Sequence, residues 1–217
     1  MNKLKEEIQT IVNIYKSGNL YKAEQDTKKL IVKNPRVAFL YNLMGLILAG
    51  QKKIEEAIQT YEKGLEIDPK FAMIYNNLGL IYYAERSSSS VKKAEDLYKR
   101  SIELNKNIAE PYNNLGNLYN SLSKYKEAEN LYKKAIFINS KFSQSHYNLG
   151  NLYLALGKTK DAKKSYKVSI ELAPNLAVAH RSLSRITKYT EDNEHFNQLK
   201  ELHKKNSPTN ENEKIEL

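Results

Sequence analysis

The 217-residue chain contains no cysteine and no tryptophan, and it has only eight glycines and five prolines. Without cysteine there can be no disulfide framework, no thiol nucleophile and no thiolate-bound metal. No stretch approaches the roughly 18 apolar residues that a membrane-spanning helix needs. The N-terminal stretch MNKLKEEIQTIVNIY carries charges where a secretory signal would be apolar. We therefore predict a cytoplasmic protein that does not engage a membrane.

Charge is abundant but uneven in sign. The chain has 35 lysine and arginine residues against 25 aspartate and glutamate residues, for a net charge of +10. Nearly all of the excess is lysine, and the lysines are spread along the chain rather than clustered with aromatic side chains. This pattern indicates a solvated, lysine-rich surface and argues against a nucleic-acid partner. The 41% of apolar residues is too high for an intrinsically disordered protein.

Internal repetition is the strongest pattern that the sequence does contain. Four segments share a central glycine: YNLMGLIL from residue 41, YNNLGLIYY from 75, YNNLGNLYN from 112 and HYNLGNLYL from 146. The glycines are Gly45, Gly79, Gly116 and Gly150, so their spacings are 34, 37 and 34 residues. A second block follows each segment, with an alanine and then a tyrosine four residues later. These pairs are Ala57 and Tyr61, Ala94 and Tyr98, Ala128 and Tyr132, and Ala162 and Tyr166.

Both blocks place apolar residues at helical spacing, which predicts two helices for each repeat. The glycines and alanines allow these helices to approach closely, and the tyrosines are expected to fill the space between successive repeats. We call the helix that carries the glycine the first helix of a repeat and the one that carries the tyrosine the second helix. The third repeat has three extra residues around Arg86–Ser90, which we predict to form a surface loop between its two helices.

The period and the residues at these positions resemble the tetratricopeptide repeat over about residues 4–189. The resemblance implies an all-α fold, namely a right-handed superhelical solenoid of antiparallel helix pairs. It places repeats at 4–37, 38–71, 72–108, 109–142 and 143–176, followed by a sixth first helix at 177–189, so that the array spans 1–189. We predict a closing helix at 190–206. Residues 207–217 are predicted to be a polar tail or the start of a further element.

In such an array the first helices line a concave groove. Asparagines recur there, and an asparagine amide offers both donors and an acceptor to a peptide backbone. The positions Asn77, Asn114 and Asn148 resemble the asparagine ladder in the repeats of O-linked N-acetylglucosamine transferase, which implies that they hold a peptide. The other candidate groove residues are Asn76, Asn113, Asn117 and Asn151. The alternative is that these asparagines simply bond to neighbouring turns of the array.

Other sites are weakly indicated or excluded. A different tetratricopeptide mode clamps a terminal carboxylate with cations, but the matching positions hold Leu46 and Glu110 instead of cations. Arg181 and Arg185 lie one helical turn apart and are a candidate contact for an acidic partner group, although a solvated face is the alternative. The sequence contains no catalytic motif and no metal-ligand spacing, so we expect no catalytic residue, no metal and no cofactor.

We therefore predict a non-enzymatic scaffold whose partner is a protein or peptide. An alternative rests on the C-terminal stretch around His180, Glu191 and Leu202, which resembles the junction in bacterial proteins that join such repeats to a sulfotransferase-like domain. That resemblance implies a substrate-docking module for a transferase domain beyond residue 217, with a glycosyltransferase as a weaker variant. Self-association through the ends of the array is a further alternative.

Overall fold

The computed structural model describes residues 2–188 and 194–206, with side chains over 3–188 and 194–201. These residues form twelve α-helices and no β-strand, which confirms the predicted all-α class. The first helices are α1 (Asn2–Lys16), α3 (Ala38–Gly50), α5 (Ala72–Glu85), α7 (Ala109–Ser121), α9 (Ser143–Ala155) and α11 (Ala177–Arg185). The second helices are α2 (Leu20–Lys33), α4 (Ile54–Ile67), α6 (Ser88–Leu104), α8 (Tyr125–Ile138) and α10 (Thr159–Leu172), and the last described helix is α12 (Glu194–Asn206). Helices α1, α2 and α11 take these names from their place in the alternation, because they lack the repeat glycine or tyrosine.

Contacts divide the chain into two compact units, Met1–Ile138 and Asn139–Leu217. The N-terminal unit contains α1 to α8, and the C-terminal unit contains α9 to α12. The predicted closing helix and polar tail fall partly on residues 189–193 and 207–217, which lie outside the described residues. None of the helices in the described ranges is long and apolar enough to cross a bilayer.

The glycine and tyrosine of each repeat form the centre of its packing. Tyr61, Tyr98, Tyr132 and Tyr166 are almost wholly buried, with at most 1% of each side chain exposed. Each ring lies against the glycine of its own repeat, so closely that a Cβ atom at Gly116 would be 2.7 Å from Cε1 of Tyr132. Tyr98 also packs with Leu115 and Leu118 of the next repeat. Tyr61, Tyr98 and Tyr166 thus pack with apolar residues of the following first helix, as predicted. All four tyrosines also fill the space within their own repeat.

A tyrosine or histidine ties the first helices from α3 onwards to the turns before them. The Tyr41 hydroxyl donates to the carbonyl of Pro35 at 3.0 Å, and Tyr75 bonds to Pro69 in the same way. His180 repeats the pattern with Nε2 at 2.8 Å from the Pro174 carbonyl. Because a carbonyl can only accept, this nitrogen carries the proton. The side chain thus satisfies a carbonyl that the turn leaves without a helical partner.

The three extra residues of the third repeat do not form the predicted loop. Ser88, Ser89 and Ser90 are the first residues of α6, which has 17 residues where its counterparts have 14. Ser87 caps this helix, because its hydroxyl accepts from the backbone N–H of Ser90 at 3.1 Å. The Ser90 hydroxyl in turn donates to Glu85 at 2.5 Å. Serine is a strong capping residue, so the insertion lengthens the helix instead of the turn.

An ion-paired carboxylate connects the first two repeats. Glu24 on α2 is buried, yet it accepts from Lys28 on the same helix and from Lys53 Nζ at 3.1 Å, just before α4. The hydrogen bond from Lys28, with that from Lys53, lowers the pKa of Glu24 to about 2 despite its burial. The carboxylate is therefore charged at neutral pH and joins the two repeats.

Candidate functional site

Four of the predicted groove asparagines of the N-terminal unit, together with Asn42, form one hydrogen-bonded chain across three first helices. Asn114 on α7 donates from Nδ2 to Oδ1 of Asn76 on α5 at 2.9 Å. Asn76 donates to its neighbour Asn77 at 3.1 Å, and Asn77 donates to Asn42 on α3 at 2.8 Å. Asn113 lies at the far end, where its Nδ2 is 3.4 Å from Oδ1 of Asn114. The amides therefore hold α3, α5 and α7 in register.

Burial divides this chain into an inner and an outer part. Asn42, Asn76, Asn77 and Asn113 are buried, whereas Asn114 is partly exposed. Each amide has two N–H donors and two acceptor lone pairs, so the bonds within the chain use only part of its capacity. The predicted alternative, in which the asparagines bond to neighbouring parts of the array, thus describes the buried members. Peptide binding by these residues stays a prediction.

Asn117 and Asn151 have a separate role within their own repeats. Asn117 accepts a hydrogen bond from the buried hydroxyl of Tyr132 at 2.8 Å, and Asn151 accepts from Tyr166 at the same distance. Both asparagines follow the central glycine directly and stand 15 residues before the tyrosine they meet. That spacing occurs twice and is the sequence signal that could have revealed the contact. Both residues are partly exposed, so each also reaches solvent.

The third repeat breaks this pairing because Leu80 occupies the position after its glycine. The hydroxyl of Tyr98 is buried and makes no hydrogen bond with any residue that the structure describes. Burial raises the pKa of this hydroxyl well above its ordinary value. Leu80 instead projects outward with 42% of its surface exposed. The third repeat therefore has the exposed apolar side chain of Leu80 at the position where the fourth and fifth repeats have asparagine.

Side chains that are at least partly exposed lie three positions before and four positions after Asn42, Asn76 and Asn113 on α3, α5 and α7, and we call this set the first-helix face. It follows the asparagine chain on both sides, because residues three or four positions away on a helix lie on the same side. Its members are Phe39 and Leu46 on α3, Met73 and Leu80 on α5, and Glu110 and Asn117 on α7. Sequence reasoning identified the asparagines but missed the exposed Phe39 and Leu80, because an apolar residue on a helix is usually assigned to the core.

The C-terminal unit carries the remaining predicted site residues. Asn148 on α9 is buried and accepts from Gln144 at 3.1 Å. Arg181 and Arg185 are exposed on α11, so they are accessible to an acidic partner, and that contact stays a prediction. The rings of His180 and His195 are nearly parallel, with Nδ1 of His180 2.9 Å from Nε2 of His195. When His180 is neutral with its proton on Nε2, its Nδ1 accepts from Nε2 of His195.

Side chains that could hold a metal do not come together in the part of the chain that the structure describes. No group of three histidine, aspartate or glutamate residues converges within it. Three glutamates of the second helices, Glu24, Glu95 and Glu129, each pair instead with a lysine four residues further along the same helix, as Glu129 does with Lys133 at 2.6 Å.

Comparisons with known families identify the repeats. A family model described as TPR repeat matches residues 45–85 and 116–157. Two models described as tetratricopeptide repeat match residues 143–176 and 97–130. Together these matches cover residues 45–85 and 97–176. All of them lie before residue 177, so they lend no support to the predicted sulfotransferase resemblance of the C-terminal stretch.

Solved structures share the fold at low sequence identity. TTC0263, a thermophilic TPR protein of Thermus thermophilus, has a TM-score of 0.74 and 18% identity over 84% of this chain and 98% of its own. PilF of Pseudomonas aeruginosa has a TM-score of 0.71 and 18% identity over 95% of this chain and 93% of its own. YrrB, described as a TPR protein with an unusual peptide-binding site, has a TM-score of 0.55 and 21% identity over 82% of this chain and 91% of its own.

No curated protein sequence matches this chain. The family matches and the structural similarities are those of tetratricopeptide-repeat scaffolds, which are typically non-enzymatic and bind proteins or peptides. The chain is therefore a tetratricopeptide-repeat protein.

Proposed function

We propose that this protein is an interaction scaffold that binds an extended peptide, or an extended segment of a partner protein, along the first-helix face of its N-terminal unit. The observation that carries the proposal is the exposure of apolar side chains on that face. Phe39 and Leu80 expose 38% and 42% of their surfaces, beside helices that the asparagine chain holds in register. Grouped apolar side chains in contact with water are a common feature of binding surfaces.

The asparagines supply the second element of the proposed site. An extended peptide presents N–H and C=O groups at regular intervals, and each must keep a hydrogen-bond partner when water is displaced. Asn114 and Asn117 are partly exposed and retain unused donor capacity, so they can meet such groups. The buried asparagines then act as positioning residues, since Asn76 fixes the orientation of the Asn114 amide through their hydrogen bond.

The test is to select binders from a random peptide library displayed on phage and to measure their affinity for Leu80→Lys. Leu80 is exposed and contributes little to the core, so the variant should fold. The matched control is Val32→Lys, at a side chain on α2 that is 81% exposed. We expect Leu80→Lys to weaken peptide binding at least tenfold, because the variant loses an apolar contact and buries a charge under the peptide. Val32→Lys should leave the affinity unchanged.

Circular dichroism must show the same helix content for both variants. If Leu80→Lys and Val32→Lys behave alike on every selected peptide, the first-helix face is not the binding surface.

A further inference from the structure

The charge of the first-helix face differs from that of the whole chain. Helices α3, α5 and α7 have 13, 14 and 13 residues and contain no lysine and no arginine, although the chain has 35 such residues. Glu85 and Glu110 are the only charged residues in the three helices. The excess of positive charge therefore lies elsewhere on the protein.

The face also changes character along the array. At the second position of the first helices, Phe39 and Met73 are followed by Glu110. At the position after the glycine, Leu46 and Leu80 are followed by Asn117. Both rows are thus apolar on α3 and α5 and become polar on α7, where Glu110 is exposed in the first turn of the helix.

We infer that the partner segment recognised by this face has apolar side chains over α3 and α5 and a basic side chain over α7, next to Glu110. This inference rests on the proposed function and adds the chemical class of the partner. Aliphatic or aromatic side chains gain free energy when they cover the exposed Phe39 and Leu80, because burial removes apolar surface from water. A lysine or arginine of the partner is the complement of the exposed carboxylate of Glu110.

The same distribution of charge disfavours an acidic segment and a free C-terminus. A carboxylate that loses water on binding needs a cation or several hydrogen-bond donors in return. The three helices provide no cation, and although Asn114 and Asn117 have spare amide donors, Glu110 would repel a second carboxylate. An internal segment of a partner protein meets these conditions, because it brings no terminal charge to the face.

The experiment is a composition analysis of peptides selected on the wild-type protein from a phage library of internal, non-terminal inserts. We expect leucine, isoleucine, phenylalanine and lysine or arginine to be enriched in the binders, and aspartate and glutamate to be depleted. The strongest binder is then synthesised with an amidated C-terminus, in its original form and with its basic residue replaced by glutamate. The acidic version should bind the wild type about tenfold more weakly.

Glu110→Lys should reverse this preference, so that the acidic peptide becomes the tighter ligand. The matched control is Glu127→Lys on the first turn of the second helix α8, where the preference should stay as in the wild type. Enrichment of acidic peptides, or a preference that Glu110→Lys does not alter, overturns the inferred partner class. If the selected peptides nevertheless bind Leu80→Lys more weakly than the wild type, the proposed binding face stands. If Leu80→Lys has no effect either, the proposed function fails together with the inference.

Discussion

The glycine in each first helix gives a sharp test of the packing, and Gly116→Ala is the variant to make. A Cβ atom at this position would lie 2.7 Å from Cε1 and 2.9 Å from Cδ1 of Tyr132. Ordinary carbon–carbon contacts begin at about 3.5 Å, so the ring must move by several tenths of an ångström. The ring has little room to do so because only 1% of Tyr132 is exposed.

The free energy of the change combines three effects. Overpacking a well-packed core costs about 1–3 kcal/mol. Displacement of the ring also weakens the hydrogen bond from Tyr132 to Asn117, which is worth about 1 kcal/mol. Alanine in place of glycine recovers about 1 kcal/mol through its higher helix propensity. We therefore expect the free energy of unfolding to fall by about 2 kcal/mol.

Gly50→Ala is the matched control, because Gly50 is the last residue of α3 and a Cβ atom added there would meet only the flexible tip of Leu20, at 3.3 Å. That variant should be as stable as the wild type or slightly more stable. The assay is urea denaturation followed by far-ultraviolet circular dichroism, performed side by side on the three proteins. If Gly116→Ala is as stable as Gly50→Ala, the close contact between glycine and tyrosine does not organise the repeat.

Three further predictions concern single buried groups, each measured by chemical denaturation. Tyr132→Phe should lower the free energy of unfolding by about 1 kcal/mol, because it removes the hydrogen bond to Asn117. Tyr98→Phe should leave that free energy unchanged or raise it, because the Tyr98 hydroxyl has no partner among the described residues. Equal effects of the two substitutions would contradict this prediction. Asn77→Ala should lower the free energy of unfolding by about 1–3 kcal/mol, since it removes the hydrogen-bond partner of Asn76 Nδ2 and of Asn42 Oδ1; an unchanged free energy of unfolding would show that the chain is not stabilising. Glu24→Gln should cost about 3 kcal/mol at about pH 7. Because the folded-state pKa of Glu24 is lowered from 4.5 to about 2, its contribution is present above pH 4.5 and is lost as the pH falls towards 2, so the two proteins should converge in acid. A difference that does not depend on pH would contradict the ion-pair explanation.

The repeats were predictable from the sequence because their decisive contacts are local. Gly116 and Tyr132 stand 16 residues apart, within one helix pair, and the same pair recurs along the chain. A periodic pattern of this kind reports directly on which residues must be small and which must fill space. The confirmed features, namely the all-α class and the tetratricopeptide repeats, rest on such contacts.

The candidate site was less predictable because its geometry depends on contacts between repeats. Asn77 meets Asn42 across 35 positions, and Asn114 meets Asn76 across 38. The sequence shows that asparagines recur, but not that they turn towards one another rather than towards solvent. The prediction of a loop at the serine insertion was wrong for a related reason. The start of α6 depends on the hydrogen bond by which Ser87 caps the helix, and the sequence pattern alone does not show that bond.

The central claim is that the first helices of the N-terminal unit, and not the second helices, form the binding surface. Its most direct test is an amide chemical-shift titration of the isotope-labelled wild-type protein with the tightest peptide selected from the library. The account predicts that the largest shifts fall in α3, α5 and α7, beginning around Phe39, Leu80 and Glu110. Shifts concentrated in α4, α6 and α8, or confined to the C-terminal unit, would contradict it.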